Sequence, residues 1–358
     1  MAQVSESDAE APTVLVDADS GVGHLRLNRP RAINALDLTM VRLLSEALAR
    51  WEDDTEITLV VITGEGERGL CAGGDVRGLH AQIVQGQAAD TATFFRAEYA
   101  LNLQIAQYPK PIIAIADGVT MGGGIGVAGH ASLRVVTERS ALAMPETRIG
   151  FTPDVGGSAL LARAPGRLGE YLALTGEAMD AADALYAGFA DVLIPSENID
   201  DFLHALRTRA DPQTPAEIAM LFDATAGPAR LEAARPWIDD AFSQGDVAGI
   251  LARLDARPEP DAAVTAATLR TLSPVALTVT LAAVRRARDL ASLADVLAQE
   301  YGLVLWFAHT QPDLVEGIRA QLVDKTRDPR WTPATLTEVA PDLAEDALAF
   351  VPSPALWS

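Results

Sequence analysis

Short apolar strands, glycine turns and helix-forming stretches follow one another repeatedly through the first 140 residues of this chain. Residues 59–63 (Leu-Val-Val-Ile-Thr) form a buried strand ending at Gly64-Glu65-Gly66. Cys71-Ala72-Gly73-Gly74-Asp75 follows as a tight turn into a helix, and residues 92–108 form another helix, stopped by Pro109. A second buried strand over 111–116 leads to Met121-Gly122-Gly123-Gly124-Ile125-Gly126, and a third covers 133–136. Helices between buried strands are crossover connections, which predicts an α/β fold. Ahead of them, 13–17 and 23–28 with Ser20-Gly21 between read as a hairpin. Residues 34–51 place Leu36, Met40, Leu43, Leu44, Ala47 and Leu48 at helical spacing behind Asp37, a suitable cap.

After about residue 200 the pattern changes. Proline-rich breaks at 211–215 and 257–261 separate mainly helical segments: 221–224, 231–242, 247–254, 276–287 and 293–308. The expected organisation is a disordered N-terminus over 1–12, an α/β core over 13–200, and a helical C-terminal lobe over 201–358.

A core of this size suits 358 residues of which 49% are hydrophobic and 22% charged. The longest apolar runs are too short to span a bilayer. The first twelve residues lack both the basic start of a signal peptide and the arginines of a transit peptide, so a cytoplasmic location is expected. The net charge of −21 disfavours nucleic acid and anionic membranes, and any polyanionic small molecule must be met by local arginines. One cysteine, Cys71, and five scattered histidines leave no disulfide and no metal-binding spacing.

The functional information concentrates in Pro145-Glu146-Thr147-Arg148-Ile149-Gly150-Phe151-Thr152-Pro153-Asp154-Val155-Gly156-Gly157. Two carboxylates stand eight residues apart among two prolines and three internal or terminal glycines, so the segment is no plain helix. A turn-rich loop can aim both acids at one point for acid–base or nucleophilic work. The turns at Gly73-Gly74 and Gly122-Gly123-Gly124 each follow a buried strand. One N–H from each would form an oxyanion hole. Either turn alone reads as an ordinary tight turn; the two together with the acidic loop do not.

Other readings are weaker. Gly124-Ile125-Gly126-Val127-Ala128-Gly129 matches the dinucleotide pattern literally, but Met144-Pro145 and a glycine–proline loop surround the acid that should end a second strand. Cys71 has no sequence-local base to make a thiolate, and Ser158 is not in a nucleophile elbow. Glu98, in Phe94-Phe95-Arg96-Ala97-Glu98-Tyr99, reads on its own as a solvated or salt-bridged acid.

Taken together, Leu27-Asn28-Arg29-Pro30, Ile33-Asn34-Ala35-Leu36, Val61-Ile62-Thr63-Gly64, Cys71-Ala72-Gly73-Gly74-Asp75, Lys110-Pro111-Ile112-Ile113-Ala114 and Asp117-Gly118-Val119-Thr120-Met121-Gly122-Gly123-Gly124 resemble the enoyl-CoA hydratase/isomerase (crotonase) superfamily. The 144–157 loop, the 94–99 segment, residues 293–301, 315–325 and Trp331-Thr332-Pro333 resemble its 3-hydroxyisobutyryl-CoA hydrolase branch. The resemblance implies a crotonase-like spiral of ββα units with the helical lobe behind it. It also implies an acyl-CoA substrate whose carbonyl oxygen sits between the N–H groups of Gly74 and Gly123.

In the same terms, Glu146 and Asp154 are catalytic, with Glu146 as nucleophile or general base. Glu98, Gly123, Glu146 and Asp154 touch the acyl part. Ala72 and Gly73 line the CoA site, and Arg29, Arg31 and Arg68 are candidates for its phosphates. No metal and no cofactor are implied beyond the CoA of the substrate, and a homo-oligomer, a trimer as in crotonase relatives, is implied. Hydratases carry a catalytic glutamate where this chain has Gly126, so water addition by a glutamate pair lacks one partner. Two further readings stay open: a hydratase- or isomerase-type activity on another acyl-CoA, and a non-catalytic acyl-CoA-binding protein.

Overall fold

The computed structural model describes residues 11–208 and 215–357. The first ten residues of the expected disordered N-terminus and most of the 211–215 break lie outside the described residues. The hairpin forms as β1 (Val14–Asp19) and β2 (Val22–Leu27), paired antiparallel around Ser20 and Gly21, both at positive φ. Such turns match the twist of the flanking strands. From β2 the sheet continues in parallel through β3 (Leu59–Gly64), β4 (Ile112–Ala116) and β6 (Leu133–Val136) to the short β8 (Val192–Leu193).

The apolar runs seen in the sequence are strands buried on both faces. Val60, Ile62, Ile112 and Ala114 point into the larger core; Leu59, Val61, Ile113 and Ile115 point into a second cluster under Phe202 and Leu206. Side chains alternate along a strand, so a doubly covered sheet needs apolar residues at every position.

Helix α1 (Leu38–Glu52) starts where Asp37 accepts from the Met40 N–H at 2.9 Å, and buries Met40, Val41, Leu44, Ala47, Leu48 and Trp51. Just before it Asn34 is fully buried in the left-handed region. Its amide donates to the carbonyls of Glu65 and Gly69 at 3.1 and 3.2 Å and accepts from the Arg29 N–H at 2.9 Å. Asparagine tolerates that backbone better than most residues and here joins three loops. Helices α2 (Val76–Val84) and α3 (Ala88–Ala106) lead into β4, and α4 (Gly123–Ala128) follows the glycine run.

The sequence did not indicate a second, two-stranded parallel sheet. Here β5 (Val119–Met121) pairs with β7 (Ala141–Ala143), in register Met121 to Ala143. Cys71 joins the far side of β5: its N–H donates to Val119 O at 3.1 Å, and its carbonyl accepts from Met121 N at 2.9 Å. Three short parallel segments therefore end side by side.

Helices are already in place before residue 201. Helix α5 (Gly157–Arg163) is followed by Leu168–Thr175 and Ala181–Ala187, and no strand follows β8 among the described residues. The helix expected over 221–224 is corrected to Pro215–Met220, with a turn behind it; Met220 and Leu221 are 73% and 66% exposed, so residues 221–224 have no buried stripe to hold a helix. The break expected at 257–261 instead opens a helix, Pro260–Leu269, with proline at a first-turn position where its missing N–H costs nothing. One continuous apolar core runs from Leu48 and Ile125 to Leu277, Phe307 and Leu314, so the C-terminal helices pack on the α/β part without a separate core.

Candidate active site

The three segments that end side by side carry the groups singled out in the sequence. After Cys71 come Gly73 and Gly74, after β5 come Gly122 and Gly123, and after β7 come Pro145 and Glu146. Gly122 sits at φ 49°, ψ −118°, a backbone that a side chain would strain. The two glycine turns touch: a Cβ on Gly123 would lie 3.2 Å from the Gly74 nitrogen. Gly123 is the first residue of α4, so its N–H has no acceptor inside the helix.

Beside these turns lies a cavity of about 710 Å³. Ala72, Gly73, Gly74, Glu98, Gly123, Glu146 and Asp154 all line it, so the expected acyl-site residues converge. Phe94, Phe95 and Phe151 supply apolar wall, and Gln321 and Leu322 reach it from a single π turn, Arg319–Val323.

The phosphate candidates fare differently. Arg29 donates to Ala35 O at 2.6 Å and lies 3.4 and 3.5 Å from Asp37 and Asp75, the two carboxylates that cap α1 and α2. Arg68 donates to the carbonyls of Pro30 and Arg31. Arg29, Arg31 and Arg68 do not line the cavity, although Asp75, 3.5 Å from Arg29, does. The first two stand at a loop that braces helix starts, and a solvated guanidinium has no need of the cavity. The cations that line it are Arg148 and Arg327, which spacing alone did not single out.

The 3₁₀ turn Glu146–Ile149 buries Glu146, and Asp154 follows in the loop before α5. Asp154 is 6% exposed and accepts from the Tyr99 hydroxyl at 2.7 Å. Glu98, one residue earlier on α3, is 2% exposed; its Oε1 and the Oε2 of Glu146 have no hydrogen-bond partner among the described residues. The solvated or paired acid expected for Glu98 from its helix alone is thus corrected: it faces the cavity, unpaired. Glu300, on the C-terminal helix Leu293–Thr310, completes the group with no exposure at all.

No lysine, arginine or histidine pairs with any of these four carboxyls among the described residues. Burial, then Asp154, pushes Glu98 and Glu146 well above the ordinary carboxylate range. Burial raises Asp154 to about 7 against the hydrogen bond from Tyr99. Burial and then Asp154 raise Glu300 to about 8. Removing a carboxylate from water disfavours its charge, and neighbouring acids add to the effect. The group therefore holds protons at neutral pH and can both give and take them.

Other candidates fall away on geometry. Burial pushes the Cys71 thiol up to about 12, and its sulfur accepts from the Gly73 N–H at 3.4 Å, so it packs as a small apolar side chain. None of the five histidines lines the cavity. The dinucleotide-like glycines lie inside and at the end of the buried α4 rather than in a loop open to phosphate. A Cβ on Gly126 would stand 2.7 Å from Val155 Cβ and 2.8 Å from Asn102 Nδ2, so no acid fits there without rebuilding. Among the described residues no three His, Cys, Asp or Glu side chains are set to hold a metal ion, and no single helix is long and apolar enough to cross a membrane.

Glu300 and Tyr99 are the residues that motif reasoning missed. Both lie in segments that carried the branch resemblance, but neither position announces that it faces the acidic loop.

The family profile of enoyl-CoA hydratase/isomerase matches residues 22–348. Among curated relatives, the mitochondrial 3-hydroxyisobutyryl-CoA hydrolase of Danio rerio is 38% identical over 91% of this chain and 87% of its own length. The 3-hydroxyisobutyryl-CoA hydrolase 1 of Arabidopsis thaliana is 36% identical over 94% and 91%. Among solved structures, a carnitinyl-CoA dehydratase from Mycobacterium thermoresistibile superposes with a TM-score of 0.89 at 46% identity, over 96% of this chain and 98% of its own. An enoyl-CoA hydratase from Rhodobacter sphaeroides 2.4.1 gives 0.89 at 42%, over 96% and 99%. The α/β spiral with its helical C-terminal part is the fold these proteins share, and the chain belongs to the enoyl-CoA hydratase/isomerase family.

Proposed function

We propose that this protein hydrolyses the thioester of a 3-hydroxyacyl-CoA, with 3-hydroxyisobutyryl-CoA, a valine-degradation intermediate, as the substrate and 3-hydroxyisobutyrate and free CoA as products. The observation that carries the reading is the convergence of Glu146 and Asp154, buried and without a cation, on the cavity that also receives the Gly74 and Gly123 turns. The names of the curated relatives support the substrate class.

The thioester carbonyl oxygen binds between the N–H groups of Gly74 and Gly123. Negative charge grows on that oxygen as the carbonyl is attacked, and each fixed donor there contributes about 3–4 kcal/mol. Glu146 drives the attack in one of two ways. Its carboxylate adds directly, expelling the thiolate and leaving an anhydride that water opens, or it takes a proton from the water that adds. In both, protonated Asp154 delivers its proton to the departing CoA sulfur, and the incoming water restores it. Tyr99 fixes the orientation of Asp154, and Glu98 accepts the substrate's 3-hydroxyl. No cofactor takes part. Hydroxylamine added during turnover separates the two routes: a Glu146 hydroxamate forms only through the anhydride.

The test is thiol release from a panel of 3-hydroxyacyl-CoAs. Binding of every one without turnover would overturn hydrolysis in favour of an acyl-CoA-binding protein. The two solved structures are of proteins named a dehydratase and a hydratase, so crotonyl-CoA belongs in the panel. Slow or absent hydration is expected, because Val155 and Asn102 fill the space a carboxylate at Gly126 would need. Fast hydration would favour the alternative. The proposal includes a trimer, read by sedimentation, and a cytoplasmic location, read by fractionation; the vertebrate relatives are named mitochondrial.

A further inference from the structure

Glu300 stands 144 residues after Gly156 in the chain, yet it meets the turn that follows Asp154. Its Oε2 accepts from the Gly156 N–H at 2.6 Å and its Oε1 from the Ser158 N–H at 2.9 Å. Between them these bonds span the turn that follows Asp154, where Val155 and Gly156 both take positive φ, at 54° and 77°. On the other side of that turn His130 Nε2 lies 2.8 Å from Val155 O. The turn is thus held from both sides, and Gly157 N–H closes it on Asp154 O at 2.7 Å. A bidentate carboxylate on two backbone N–H groups is a short, directional clamp.

We propose that Glu300 is a positioning residue for the hydrolysis: its carboxylate clamps the Gly156 and Ser158 N–H groups and so fixes Asp154 over the cavity. This rests on the function proposed above and assigns the C-terminal helices a part in the chemistry. The groups around Asp154 are Glu98 and Tyr99 from α3, Glu146 from its own loop, Glu300 from the Leu293–Thr310 helix and His130 behind the turn. Burial lowers His130 to about 4, so it is uncharged at neutral pH and does not offset the acids.

The experiment compares wild type with Glu300→Gln and Glu300→Asp in kcat and KM. Glutamine offers one oxygen and turns an NH₂ toward the second backbone donor. Glu300→Gln should lower kcat at least tenfold with KM within about twofold. Glu300→Asp keeps both oxygens but falls one methylene short; it should recover part of the loss in kcat. Glu300→Gln with kcat within twofold of wild type overturns the proposal. A second measurement, amide hydrogen exchange at Gly156 and Ser158, needs no turnover. Exchange at both should quicken at least tenfold in Glu300→Gln, and unchanged exchange in that variant overturns the clamp. If wild type releases thiol from no 3-hydroxyacyl-CoA, the proposed function fails on that count, and the exchange rates still decide whether Glu300 holds the turn.

Discussion

Glu146 and Glu170 are both buried carboxyls of this protein, and their surroundings are opposite. Glu170 is wholly buried on the helix Leu168–Thr175, where Arg288 grips both its oxygens at 2.6 and 2.7 Å and Arg167 adds a bond at 2.8 Å. Burial pushes Glu170 up, but the hydrogen bonds from Arg288 and Arg167 outweigh it and hold the acid below its ordinary value. Glu146 has three acids for neighbours and an oxygen with no partner, and it rises. Burial of an acid is common to both places and so does not mark a site. What marks it is burial left uncompensated beside an open cavity, since the buried, unbonded oxygens of Glu98 and Glu146 give the fold nothing in return.

The largest expected effect tests the uncompensated side. Glu146→Gln should lower thiol release by about a thousandfold, within the range for loss of a positioned base or nucleophile, while calorimetry still detects acyl-CoA binding. Near-normal thiol release by that variant would remove Glu146 from the chemistry. Next comes Gly123→Ala, whose Cβ would stand 2.7 Å from Glu98 Oε1 and 3.2 Å from the Gly74 nitrogen. It should cost about a hundredfold or more in kcat, as for loss of an oxyanion donor; an unimpaired kcat would exclude the two glycine N–H groups as the oxyanion hole.

The compensated side should answer in stability instead. Arg288→Ala leaves Glu170 buried with Arg167 and the more distant Arg285 (3.7 Å). The expected loss is about 2 kcal/mol, below the 3–5 typical of a fully orphaned buried charge, with kcat unchanged. A denaturant melt paired with the thiol assay reads both. If Arg288→Ala loses activity without losing stability, the contrast between the regions is wrong.

The last test is in pH. Asp154 and Glu300, at about 7 and 8, hold protons in the folded protein that the unfolded chain, with carboxyls near 4, has already released. The folded state binds more protons between those values, so the group's contribution to stability is greatest at low pH and declines as pH rises from about 4 to 8. Glu170 runs the other way: its contribution is present above its unfolded value and is lost as pH falls through its lowered folded value. Urea midpoints at pH 5 and 8 should therefore fall less in Asp154→Asn than in wild type. An equal fall in both would mean that Asp154 is not held protonated.

The acidic loop was legible because Pro145, Pro153, Gly150 and Gly156 forbid a helix between two acids, a local statement about backbone. The parallel strands were legible because apolar runs at 59–63 and 111–116 had no polar face to show. β5 and β7 were not: each is three residues long, too short for a period to register, and each exists because the other and Cys71 lie beside it. That small sheet is what brings Gly74, Gly123 and Glu146 to one end. The partners of Arg29 were hidden for a similar reason, since a lone arginine does not disclose the two aspartates beside it.

The sequence by itself determined the α/β order, the glycine turns and the two loop acids, because each is a property of residues near one another in the chain; that Gly126 stands where hydratases carry an acid came from the family resemblance. Only the tertiary structure decided that Glu98 faces the cavity unpaired, that Tyr99 holds Asp154, and that Glu300 clamps the turn beyond it. Those depend on which segments meet and on how much water is excluded where they do, and neither quantity is written in local spacing.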